Sequence, residues 1–555
     1  MSKAAAPTTT ATRSITEWLS WVLLLVFLVV TVPPMLCMPL WCDVTYYDYV
    51  AQNIHQGKLL YVDVWEINFP GMGLIQSALR RLIGFRVEAL RIVDLIVVAF
   101  ILAASVRLLR LGQSNRLPRI PIGLFSLLGC IFYTSTAEGN HCQRDVWMLL
   151  PIMVALNVRH ESRLNEGSNR TQLIRSAMEG ILWGIAVWIK PHVVVIGFAV
   201  WFQSVVLQPN RRRLVDTVGL LIGGMSLGAG GLGALWFTGA WSSFWDIMLN
   251  WNPDYVSATN SVEERIRFYT IHFGTFFPWS VMVVLSVLGS TRILMRQFVN
   301  RLKKSEDDLQ QDHSPAPLLC ACLLGWLAEY VVLQRPHDYV LVGMTLLGLT
   351  TLLAVSDATN RVRRWQVVAW TIVVCSLIHH PALHPRRLDA WKECLAQGST
   401  PEMRQRLSMN TGIGKTDWPD LKRIQAFLEK RGVRDGEVTC YSVSTHPLYL
   451  EMGINAPTRY PYLDLLINYH PSQVNNISQT VYESSHRYLV ADVWSAGVEF
   501  HPREFEKVES SSTYPRGFPG EKLKEFPWNQ PLLFRAGRYT VHWVLPRNRC
   551  QQSKQ

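Results

Sequence analysis

Apolar residues gather in blocks along the first 380 or so positions and thin out after them. The blocks cover residues 18–38, 90–109, 120–135, 146–158, 177–189, 193–207, 214–237, 273–294, 316–333, 339–355 and 365–378. Crossing a bilayer takes roughly 20 apolar residues, fewer where protein buries the helix ends. Backbone polar groups inside lipid must be satisfied within the segment, so such blocks are helices. The pattern predicts about eleven membrane helices, with 146–158 and 177–189 the shortest blocks. From residue 381 the pattern changes. Leu421, Ile424, Phe427 and Leu428 fall on one face of a helix over 420–431, ended by Gly432. Residues 437–443, 488–493 and 539–544 read as strands, 445–452 as a helix, and 510–531 as a loop rich in Gly, Ser and Pro. The expected fold class is mainly α: a polytopic membrane helical bundle over 18–380, after a short tail at 1–17, followed by a small α/β domain over 381–555.

Charge adds orientation. Loops rich in Lys and Arg stay cytoplasmic. One set of loops carries Arg107, Arg110, Arg116 and Arg119; Arg159, Arg163, Arg170 and Arg175; Arg211, Arg212 and Arg213; Arg296, Arg301, Lys303 and Lys304; and Arg361, Arg363 and Arg364. The alternate short loops carry only Arg144, Lys190, Arg265, Arg267 and Arg335. The alternation predicts a multi-pass protein of the plasma (inner) membrane with a cytoplasmic N-terminus. It places loop 39–89 and the C-terminal domain outside the cytoplasm. The net charge of +12 is largely this bias, so no nucleic-acid partner is expected. The first block reads as an uncleaved helix: Pro33-Pro34-Met35-Leu36-Cys37 follows where a signal peptide would have small residues. The ten cysteines include no CxxC pair. Cys320 and Cys322 sit in a span and read as packing. Cys42 and Cys142 share the outer side and are expected unpaired.

Loop 39–84 is long for a connection in a membrane domain, and such loops usually have a job. Asp43, Tyr46, Tyr47 and Val50 share one face of a helix over 43–56, closed by Gly57. An extended stretch over 61–71 carries Asp63 and Glu66. Residues 72–85 form an amphipathic interfacial helix, with Arg80 and Arg81 opposite its apolar face. Acidic and aromatic residues are also common just outside a membrane, which is the bland reading of the same residues. Loop 238–271 holds Trp241, Trp245, Trp251 and Tyr255, read as interfacial, and a turn at Asn252-Pro253-Asp254.

The stretch Gly57-Lys58-Leu59-Leu60-Tyr61-Val62-Asp63-Val64-Trp65-Glu66-Ile67-Asn68-Phe69-Pro70 resembles the first-loop signature of the GT-C glycosyltransferases. That group includes the protein O-mannosyltransferases and the aminoarabinose transferases. The signature has the form G-x-x-x-Y-x-D-x-x-E-x-N-P-P behind an acidic residue after the first span, here Asp43. Phe69 stands where the pattern has its first Pro, and Val44 follows Asp43 where an acidic residue is frequent. Gln143-Arg144-Asp145 is similar to a second loop motif of a bacterial branch, and Lys190-Pro191-His192 to a third.

The resemblance implies a membrane glycosyltransferase. Its donor would be a polyprenyl-phosphate-linked sugar reaching the site among membrane lipids. Its acceptor would be an envelope glycan, lipid or protein. Asp43 is then the candidate base, and Asp145 a charged residue orienting hydroxyls, against a reading as a helix-end charge paired with Arg144. Lys190, Arg335, His337 and Tyr339 are candidate contacts to the donor phosphate; Lys190 also reads as a snorkelling side chain. Tyr46, Tyr47, Asp63, Glu66 and Arg144 are candidate substrate contacts, with a structural role favoured for Asp63. No metal ligand set is singled out and no cofactor is required, although a divalent cation stays open. The competing class is a transporter or flippase of lipid-linked sugars. Transporters usually carry internal repeats around midplane polar residues; no repeat is visible, and the polar residues collect at one edge.

Overall fold

The computed structural model describes residues 8–111, 121–165, 167–205, 212–257, 262–303, 314–335, 337–359, 361–410, 412, 414–496, 514–515 and 517–545. Arg116, Arg119, Arg211 and Lys304 lie outside them, as do Pro336 and part of 510–531. Every apolar block contains a helix: Thr8–Cys37, Val87–Arg110, Ile122–Ser135, Leu149–Leu164, Asn169–Ile189, Val193–Val205, Arg213–Phe237, Trp279–Lys303, Ala316–Leu333, Asp338–Ala358 and Val362–Ile378. Among the described residues, six helices are long and apolar enough to cross a membrane. Ile122–Ser135 and Val193–Val205 are apolar but shorter. The chain is a multi-pass membrane protein with a mainly helical fold and a small sheet near its C-terminus.

Two details depart from the apolar pattern. The block expected at 273–294 is broken: one helix, Val262–Thr275, ends before Pro278, and the next starts at Trp279. Proline suits a helix start and not an interior, which moves the span toward residue 303. Arg159, counted above as a loop charge, is buried. Its Nε donates to Glu179 Oε1 at 2.6 Å, and its Nη1 to Asp216 Oδ2 at 2.9 Å and Ser204 Oγ at 2.8 Å. A buried guanidinium needs such partners, so this arginine clamps three helices.

The chain folds as two compact units. One comprises Met1–Met38, Arg86–Ala234 and Asn260–Gly398; the other comprises Pro39–Phe85, Leu235–Thr259 and Ser399–Gln555. The first loop therefore groups with the C-terminal segment. The boundary falls after Gly398 instead of 380 because helix Pro385–Gln397 packs on the first helix, where Trp391 Nε1 donates to the Val29 carbonyl at 3.0 Å.

In the second unit, the first loop forms helices Cys42–His55 and Gly71–Ile83. Arg80 is not on the outward face of its helix. It is buried, with Nε donating to Asp48 Oδ1 and Nη2 to Asp48 Oδ2, both at 2.6 Å. Gln76 Nε2 donates to the same carboxylate at 2.5 Å. The stretch expected as a turn at Asn252 starts helix Asn252–Ser257, with Pro253 in its first turn. The sheet has the order β1-β2-β4-β3, with β1 at Val438–Cys440, β2 at Tyr488–Asp492, β3 at Leu532–Ala536 and β4 at Tyr539–Trp543. β1 and β2 are parallel, and β4 is antiparallel to both β2 and β3. The parallel pair needs a long crossover, supplied by helices Pro447–Met452, Asp464–Tyr469 and Val474–Glu483. Strand β2 is buried throughout, and Leu489, Ala491 and Val493 pack on Trp528. Helix Trp418–Lys430 buries Leu421, Ile424 and Leu428, and Phe427 stacks on Phe534 at 4.4 Å. Among the described residues, no cysteine, Cys42 and Cys142 included, is in a disulfide.

Candidate functional site

In the membrane unit, helix Asn169–Ile189 stops where Pro191 pushes Lys190 into extended backbone (φ −153°, ψ 111°). This turn carries the Lys190 side chain into the interior, where it is 3% exposed. Its Nζ donates to Asp145 Oδ1 and to Gln334 Oε1, both at 2.5 Å. Asp145 is fully buried and follows Arg144 in the short helix Arg144–Trp147. Neighbouring helices pin that turn. Trp147 Nε1 donates to Asp94 Oδ1 at 2.7 Å, and the Tyr133 hydroxyl donates to Asp94 Oδ2 at 2.5 Å. Gly343 lets helix Asp338–Ala358 come close, since a β-carbon there would lie 2.7 Å from the Asp145 carbonyl.

The pair has a further shell. Gln334 Nε2 donates to Glu329 Oε1, so the amide joins a second carboxylate to the ammonium. The other oxygens of Asp145 and Glu329 are buried without a partner among the described residues. Arg144 places its charge on Lys190, His192 and His337. Burial, followed by the charges of Lys190 and Arg144, pushes His192 down to about 4. Burial, followed by Arg335 and Lys190, does the same to His337. Both imidazoles are neutral near pH 7, so they bring hydrogen-bond donors and no charge. His337 stacks on Tyr339 at 5.1 Å. Asp145, Arg144, Lys190, Arg335, His337 and Tyr339 thus form one neighbourhood. Asp145 pairs with Lys190, a partnership that neither motif announces.

The second unit holds the remaining candidates. Asp43 lies in the first turn of helix Cys42–His55, half-buried, with Cys42 Sγ at 3.7 Å from its Oδ1. Tyr46 is buried and its hydroxyl donates to the Trp65 carbonyl. Glu66 Oε1 accepts from the Asn68 backbone N–H at 2.8 Å and from Asn68 Nδ2 at 2.7 Å. Asn68 Nδ2 also reaches the Tyr47 hydroxyl at 3.4 Å. Tyr61, with φ +71°, sets this turn, and its hydroxyl donates to the Asn68 carbonyl at 2.7 Å. Asp63 stands apart: its Oδ2 accepts from the Leu59 N–H at 2.8 Å at the surface, holding its own turn. Tyr46, Tyr47 and Glu66 therefore support the loop as buried groups.

Residues from the C-terminal segment complete this cluster, and nothing in their local sequence marked them. Tyr462 stacks edge-on to Tyr46 at 6.0 Å and lies 5.7 Å from His446. His446 Nδ1 donates to the Val443 carbonyl at 2.6 Å. Burial pushes this ring down to about 4, so it is neutral and its Nε2 accepts from the Thr45 hydroxyl at 2.9 Å. Asp464 Oδ1 accepts from the N–H groups of Val443 (3.1 Å) and Leu465 (2.7 Å). Burial nevertheless raises its carboxyl to about 7. In the membrane unit, Gln334 and Glu329 were also missed. An acidic residue inside an apolar block was the available signal for Glu329. Among the described residues, no group of three His, Cys, Asp or Glu side chains is arranged to hold a metal ion.

No family model matches the chain, and no curated protein matches it in sequence. Solved structures do. ArnT from Cupriavidus metallidurans bound to undecaprenyl phosphate is 11% identical, with a TM-score of 0.51 over 98% of this chain and 100% of that one. The same protein in its apo state is 10% identical, with a TM-score of 0.54 over 96% of this chain and 100% of that one. Both likenesses run nearly end to end, through the membrane helices and the C-terminal sheet alike. At this identity they establish architecture: the chain has the GT-C membrane fold of ArnT.

Proposed function

We propose that this protein is an inverting membrane glycosyltransferase that moves a sugar from a polyprenyl-phosphate donor to an envelope lipid, glycan or protein. The observation that carries the reading is the Lys190 ammonium. It is buried at a helix end, held by Asp145 and Gln334, and has a third N–H with no partner among the described residues. A phosphate oxygen is the natural third acceptor, and the pairing with Asp145 aims the lysine nitrogen before donor arrives. The GT-C fold supports the reading, since the solved neighbour of the same fold binds undecaprenyl phosphate.

In the reaction, the acceptor O–H gives its proton to the Asp43 carboxylate. Its oxygen forms a bond to the anomeric carbon as the bond from that carbon to the phosphate oxygen breaks. The electron pair leaves with the polyprenyl phosphate. Lys190, with Arg144 and Arg335, balances the charge that grows on the leaving group. Neutral His337 and Tyr339 offer hydrogen-bond donors. No covalent enzyme intermediate and no cofactor enter this scheme. Equal transfer in EDTA and in added Mg²⁺ is the expected result, and loss in EDTA would return a divalent cation to the mechanism.

The test is transfer of label by the purified full-length protein from radiolabelled undecaprenyl-phosphate hexoses and pentoses to an envelope lipid and glycan extract. Asp43→Asn is expected to lower transfer by about 10²-fold or more. Undiminished transfer by that variant would remove Asp43 as the base.

A further inference from the structure

Within the unit that carries Asp43, most of the surrounding cluster is closed to solvent. Thr45, Tyr46, Tyr47, Glu66 and His446 are all buried. Asp43, Asn68 and Tyr462 keep part of their surface open. Asn68 spends its amide on Glu66 and Tyr47. The Tyr462 hydroxyl makes no hydrogen bond to any described residue. Its ring is fixed by Tyr46 and His446, and the charges of Asp43, Glu66 and Asp464 all act on it. Burial raises the pKa of this phenol, and the nearby carboxylates raise it further, so it stays protonated. It is a fixed O–H donor packed against the helix turn that carries Asp43.

We propose that Tyr462, supplied by the C-terminal segment, contacts the acceptor in the Asp43 site and fixes its hydroxyl against that carboxylate. This inference rests on the glycosyl-transfer reading given above. The acceptor oxygen accepts the Tyr462 O–H while its own proton points to Asp43. Two opposed hydrogen bonds set the orientation of a hydroxyl, which one alone leaves free to rotate. The pairing selects an alcohol acceptor. A protonated amine has no lone pair for the Tyr462 donor, and it would be held by the carboxylates as a cation that cannot attack. Tyr462 is thus a specificity-determining contact, and the C-terminal segment is part of the acceptor site.

The test compares full-length wild type, Tyr462→Phe and Asp43→Asn with radiolabelled undecaprenyl-phosphate sugars. Transfer to the envelope extract and release of free sugar to water are measured separately. Tyr462→Phe keeps the ring contacts. It is expected to raise the apparent KM for acceptor about tenfold, while the hydrolysis of donor by water and the thermal midpoint in detergent stay at wild-type values. Wild-type transfer by Tyr462→Phe, or a parallel loss of transfer and hydrolysis, would overturn the inference. Undiminished transfer by Asp43→Asn would instead overturn the reading beneath it, so the two failures are distinct.

Discussion

Lys190 and Asp145 are charged groups in a place that tolerates none singly. A buried ion pair returns its desolvation cost only with good geometry and further hydrogen bonds, which Gln334 and Glu329 provide. Removing Lys190 alone leaves Asp145 uncompensated, so Lys190→Met is expected to lose both stability and transfer. The double variant Lys190→Met with Asp145→Asn removes both charges. It should recover the thermal midpoint and leave transfer lowered by about 10²-fold; transfer that recovers with stability would make the pair purely structural. Asp464 gives a pH signature in the other unit. Its folded carboxyl sits at about 7, above the ordinary carboxylate value near 4. The folded state therefore keeps a proton that the unfolded chain releases. That contribution to stability is full below about pH 4, falls as pH rises, and is gone above about 7. Asp464→Asn should flatten the slope in denaturation curves between these values. Lys190, Arg144 and Asp145 were legible because each sits in a short local motif. Gln334, Tyr462 and Asp464 were not, because their roles come from contacts with residues distant in sequence.

Helix positions were readable from apolar periodicity, but the facing of individual polar residues was not. Arg80 and Arg159 both looked like surface charges, and both are buried clamps. A pattern ranks an arginine as polar; it does not reveal the carboxylate waiting on another element. Truncating Arg80 strands Asp48, and a broken buried pair costs about 3–5 kcal/mol. Arg80→Ala should accordingly lower the unfolding midpoint sharply, whereas Arg81→Ala should leave it unchanged. Small residues set the helix approach elsewhere. A β-carbon at Gly219 would come 2.7 Å from the Leu173 carbonyl, and one at Gly223 would meet the Ala177 carbonyl backbone. Helices Asn169–Ile189 and Arg213–Phe237 therefore touch along a seam of the kind that small residues allow in membranes. Backbone atoms cannot rotate aside, so Gly223→Leu is expected to cost at least about 1–3 kcal/mol, read as a lower thermal midpoint in detergent.

At the scale of the molecule, the loop charges make a claim about sidedness that transport and chemistry both depend on. Donors on lipid phosphates and envelope acceptors meet outside the cytoplasm, so the proposed reaction needs the unit containing Asp43 there. The charge alternation predicts that placement: the Arg and Lys clusters fall on every second loop, with the Pro39–Phe85 segment and the C-terminal segment on the opposite parity. Losing Arg159 to the interior leaves Arg163, Arg170 and Arg175 in its loop, so the alternation survives that correction. Single reporter cysteines on a Cys375→Ser background test the assignment, since Cys375 is the one exposed cysteine among those described. Gln473→Cys, beside helix Val474–Glu483, should react with a membrane-impermeant maleimide in intact cells. Thr359→Cys, exposed between helices Asp338–Ala358 and Val362–Ile378, should react only after permeabilisation. The reverse pattern would put Asp43 on the side of the nucleotide sugars, and the polyprenyl-phosphate donor would then have no reason to be preferred.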